Sequence, residues 1–97
     1  MLGGISKNAQ LATPDIVKLV NNHKSDFNSH FGVSHADYDA ISFKVQVVNG
    51  SNYFIKVRGG GQFYHVKVYK PLPVMGNETE FKGGSGGHSL TSDIQFM

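Results

Sequence analysis

Ninety-seven residues make a single domain, with room for a modest core but not for a catalytic cleft with two walls and a lid. Nine lysines and arginines stand against seven acidic residues, a small excess and not a basic patch, so nucleic-acid binding has no support. The chain has no cysteine, which excludes disulfides, thiolate chemistry and cysteine-ligated zinc.

The chain begins with Met1–Leu11, a segment with no period that carries the pair Gly3-Gly4. It lacks the basic start and apolar stretch of a signal peptide, and no apolar run approaches a membrane span. A cytoplasmic domain with no membrane partner is therefore expected. A helix follows. Thr13 is a good N-cap, Pro14 suits the first helical position, and Asp15 complements the positive end of the helix dipole. Ile16, Leu19, Val20, His23, Phe27 and Phe31 then form one apolar stripe, suited to lying across a sheet. Gly32 is the expected stop, and Ser34–Asp39 the polar connection into the first strand.

Three strands come next, each alternating with period two. Ile41, Phe43, Val45 and Val47 oppose Ser42, Lys44 and Gln46, while Tyr53, Ile55 and Val57 oppose Asn52, Lys56 and Arg58. In Phe63–Tyr69, Tyr64, Val66 and Val68 oppose His65 and Lys67. The pattern predicts a sheet covered on one side only, with Phe54 as the exception on the polar face. Asn49-Gly50 between the first two strands is a strong hairpin signal. The residues before it, Val47 and Val48, put apolar side chains on a rigid tip, which makes Gln46–Gly50 a candidate binding wedge. Gly59-Gly60-Gly61 reads as a turn; a strand follows it, not the helix a phosphate loop requires. Pro71-Leu72-Pro73 is a loop, because proline lacks the ladder N–H. Glycine-rich Lys82–His88 reads as a flexible turn, and Ser89–Met97 as a short edge strand using Leu90, Ile94 and Phe96.

The five histidines scatter over helix, loop and strand without a tight ligand pair, so no metal or cofactor is expected. Asp37 with Asp39 and Glu78 with Glu80 lie in loops beside strands, where solvation and edge protection explain them. Nothing resembles a nucleophile elbow, and an enzyme is not expected.

Gln46-Val47-Val48-Asn49-Gly50 resembles the Gln-Val-Val-Ala-Gly loop of the stefins, the type 1 cystatins. Gly3-Gly4, Ala12-Thr13-Pro14-Asp15-Ile16, Ser51–Val57 and Leu72-Pro73 also have counterparts there, in order, as far as about Pro73. The resemblance implies an α+β, cystatin-like fold: one α-helix packed across a twisted antiparallel sheet of four to five strands. It also implies reversible, tight, non-covalent inhibition of papain-like, cathepsin-type cysteine proteases by three aligned segments. By position these are the trunk Leu2-Gly3-Gly4, the first loop Gln46–Gly50, and the second loop Leu72-Pro73. Asn49 stands where the family has a small Ala; Asn tolerates positive φ, so the turn is expected to persist. The alternative is a cystatin-fold interaction module that inhibits nothing, since fold does not fix function. A monomer is expected. If Val48 is strained in its turn, opening that hinge gives a route to a domain-swapped dimer.

Overall fold

The computed structural model describes residues 9–76 and 78–94. In chain order the elements are β1 (Gln10–Leu11), α1 (Pro14–Asn22), α2 (Lys24–Phe31), β2 (Asp39–Val48), β3 (Gly50–Gly59), β4 (Gln62–Lys70), a 3-10 turn (Pro73–Met75) and β5 (Glu80–His88). The strands form one sheet in sequence order, with every neighbouring pair antiparallel. This is the expected α+β architecture, with five strands. No helix among the described residues is long and apolar enough to cross a membrane.

The helical stripe forms as its spacing predicts. The Thr13 hydroxyl accepts the Ile16 N–H at 3.3 Å, capping α1. Ile16, Leu19, Val20, His23 and Phe27 are buried, and Phe31 packs at the margin of the core. Gly32 ends α2 in the left-handed region (φ 66°, ψ 37°), its N–H bonded to the Asn28 carbonyl. One helix was expected, but the chain makes two, separated at His23 (φ −109°, ψ 15°). There the backbone tightens, the His23 N–H reaching only back to the Val20 carbonyl at 3.1 Å. The imidazole is held on both sides. Nδ1 lies 2.7 Å from Asp26 Oδ2, and Nε2 lies 2.6 Å from Thr79 Oγ1.

Phe27 centres the core, edge-to-face with Tyr38 and with Phe81, each at 5.2 Å between ring centroids. Asn28 pins the connection that follows. It accepts from the His35 N–H at 3.1 Å and the Tyr38 hydroxyl at 2.8 Å, and donates to the His35 carbonyl at 3.1 Å. Phe43, Ile55, Val57, Tyr64, Val66 and Val68 meet the helices from the sheet. One expected inward residue is displaced. The β2–β3 register shifts between Ala40 and Ser42, so Ala40 pairs with Val57 and packs on the core, while Ile41 is the extra residue of a bulge.

The other face of the sheet corrects the expectation of a one-sided cover. Phe54, Lys56 and His65 are buried there. Leu90–Ile94 close a cavity over this face together with Ser42, Lys44 and Lys56. The Lys56 ammonium donates to the carbonyls of Leu90 and Ser92, both at 2.6 Å, and Ile94 is buried. Residues 89–94 are thus a turn and a return segment, not the expected edge strand; Phe96 lies outside the described residues. The strand is made instead by the glycine-rich stretch expected to be a flexible turn. Glycine fits there for a steric reason. A Cβ on Gly84 would collide with the His65 carbonyl, and one on Gly86 would lie 3.3 Å from the Tyr64 ring.

Candidate functional site

At one end of the sheet, β2 turns into β3 and β4 runs out. Asn49 alone separates the strands, since Val48 pairs with Gly50 and Val47 with Ser51. Gln46 braces the turn, its Oε1 accepting from Asn52 Nδ2 at 3.2 Å across the strands. The positive φ falls on Gly50 (99°), and no other residue type among those described has one. Asn49 therefore needs no left-handed tolerance. Val48 has no positive φ either, so the left-handed region of this turn falls to the residue that adopts it at no steric cost.

Gly50 is also where the two tips touch. A Cβ there would lie 2.5 Å from the Lys70 carbonyl oxygen, 2.9 Å from the Tyr69 hydroxyl and 3.1 Å from Pro71 Cα. Ser51 pairs with Lys70, and the Tyr69 hydroxyl donates to the Asn49 carbonyl. After β4 the chain runs through Pro71 and an extended Leu72 (φ −61°, ψ 146°) into the 3-10 turn, which Gly76 ends at φ 112°. The sequence therefore builds two adjacent tips, Gln46–Gly50 and the stretch from Pro71 to Val74.

These tips carry apolar surface to water. Val47 is 55 % exposed, Leu72 41 % and Val74 91 %, whereas Val48 is half-buried. Neither Gln46–Gly50 nor Pro71–Met75 contains a charged residue. Such a surface loses little on leaving water and gains by meeting an apolar wall. Residue-level reading of the sequence missed Val74 and Tyr69. Val74 had a signal, because the apolar run of the second loop continues past Pro73. Tyr69 had none, because its partner is a main-chain carbonyl 20 residues away.

Leu2, Gly3 and Gly4 lie outside the described residues. β1 nevertheless has a direction. It pairs antiparallel with β2, Gln10 with Phe43 and Leu11 with Ser42, so its N-terminal end points towards the end of the sheet that bears the two tips. Among the described residues, no three His, Asp or Glu side chains gather to hold a metal ion.

A family model described as the Cystatin domain matches residues 3–89, beyond Pro73 and through β5. Cystatin-A of Felis catus is 36% identical over 93 residues, 95% of this chain and 94% of its own. Cystatin-A of Homo sapiens is 42% identical over 72 residues, 73% of this chain and 72% of its own. Leukocyte cysteine proteinase inhibitor 1 of Sus scrofa is 35% identical over 74 residues, 75% of this chain and 72% of its own.

Proposed function

The chain belongs to the cystatin family, and we propose that it is a reversible inhibitor of cysteine proteinases, acting as one domain that inserts the two uncharged tips at one end of its sheet into the active-site cleft. The observation that carries this reading is the pair of joined tips with Val47, Leu72 and Val74 exposed and no charge among them. The name of the Sus scrofa relative, a cysteine proteinase inhibitor, supports it.

The proposed target is a papain-like, cathepsin-type enzyme, and the proposed contacts are Gln46, Val47, Val48, Asn49 and Gly50 with Leu72 and Pro73. The trunk Leu2-Gly3-Gly4 follows the substrate side of the cleft, and its glycines let the backbone turn away before a scissile peptide reaches the thiolate. Inhibition is occlusion, with no bond made or broken. A wedge of this kind buries about 800 Å² per partner. The rigid tips lose little ordering entropy on docking. The inhibitor acts as a monomer in the cytoplasm.

The test is titration of papain with the purified protein, with trypsin as control. Papain activity falls in proportion to added inhibitor and returns on dilution, while trypsin is unaffected. Papain that stays active in excess inhibitor refutes the reading. Deleting Met1–Gly3 removes the Leu2 side chain, and burying a leucine is worth roughly 1.5–3 kcal/mol. Binding should therefore weaken about 10- to 150-fold, chiefly through faster dissociation. Unchanged inhibition would remove the trunk from the site.

A further inference from the structure

We propose that Tyr69 is a positioning residue for inhibition: its hydroxyl fixes the first tip to the second, so that both enter the cleft as one preformed surface. The proposal rests on the inhibitor reading above. Tyr69 stands near the end of β4, with only Lys70 between it and the second tip, and its hydroxyl donates to the Asn49 carbonyl at the apex of the first. That carbonyl lies between the two strands, beyond the Val48–Gly50 pair that ends the ladder, and the tyrosine hydroxyl satisfies it. The neighbouring geometry agrees. Gly50 approaches the Lys70 carbonyl and Pro71 so closely that a methyl group could not be placed between them. The first tip is thus pressed against β4 from one side and bonded to it by the tyrosine.

The ring of Tyr69 has other engagements, with Lys82 Nζ 5.9 Å from its centroid. Removing the hydroxyl alone therefore separates the tether from packing. A tip held in its docking conformation keeps less freedom to lose, and such pre-organisation acts chiefly on the dissociation rate. Because the acceptor is main chain, the contact can be deleted only from the tyrosine side.

The experiment compares the intact protein with Tyr69→Phe in three readouts: association and dissociation rates with papain, melting temperature, and amide exchange at Gly50 and Ser51. The expected result is dissociation about three- to tenfold faster, association little changed, faster amide exchange at the first tip, and a melting temperature close to that of the parent. Dissociation unchanged in Tyr69→Phe overturns the proposal. So does a drop in melting temperature with unaltered rates, which is what a purely structural tyrosine would give. Failure of the intact protein to inhibit papain is a different result and refutes the inhibitor reading. In that case the amide exchange still decides whether the tether orders the tip, and equal exchange in both proteins overturns it.

Discussion

His65 lies in surroundings that a histidine seldom occupies. It is 1 % exposed, stacks on His88 with centroids 3.7 Å apart, and its Nε2 has no hydrogen-bond partner among the described residues. Burial first, then the charges of His88, Lys56 and Lys44, push its pKa down from 6.5 to about 4. The unfolded chain therefore takes up a proton near pH 6.5 that the folded one refuses until about pH 4. Stability from this residue is complete above 6.5, falls as pH drops from 6.5 to 4, and is level below. At 1.36 kcal/mol per unit the loss is about 3 kcal/mol. Urea unfolding of the parent and His65→Leu at pH 7 and pH 4 should show a steeper loss in the parent; parallel losses would show that His65 does not set the slope. The sequence did not reveal this burial. Alternation tells which face of a strand a residue occupies, not whether that face is covered, and the ring stacked on His65 belongs to His88, 23 residues further on.

Among the elements, the helices and the three long strands were legible because their apolar residues recur at the period of their backbones. β5 was not legible, since glycine supplies neither a side-chain pattern nor strand propensity. What makes it a strand is its neighbour. A Cβ at Gly84 would collide with the His65 carbonyl and lie 3.0 Å from Val66 Cα, both backbone obstacles that cannot rotate aside. Gly84→Ala should cost about 1–3 kcal/mol, the usual range for overpacking, read as a lower urea midpoint; an unchanged midpoint would show that β5 can shift without loss. The break at His23 was hidden for a similar reason, because Thr79, which holds its imidazole, is 56 residues away. The first tip was legible from Asn49-Gly50 and the valines before it. On the proposed docking, Val48→Asp would place a carboxylate in a desolvated interface at a cost of several kcal/mol. Inhibition of papain should fall more than a hundredfold while circular dichroism is unchanged, because the tip lies outside the core. A folded variant inhibiting at full strength would remove this tip from the interface.

Taken whole, the molecule measures 38 × 27 × 22 Å and carries its two tips at one end of the sheet. Joining two copies through an opened first hairpin would have to break the Tyr69 tether and the close seat of Gly50. The protein should therefore elute as a monomer from size-exclusion chromatography after days of incubation below its melting midpoint. A dimer peak that has lost papain inhibition would show that the hinge opens. On the face of the sheet away from the helices, Lys56 holds residues 90–92 by the carbonyls of Leu90 and Ser92, so it grips main chain and is blind to the side chains there. The Leu90 side chain is exposed, and the chain has no cysteine of its own. A single engineered thiol at Leu90 is thus a natural attachment point for a dye or surface linker, held by a main-chain grip that does not depend on the side chain replaced.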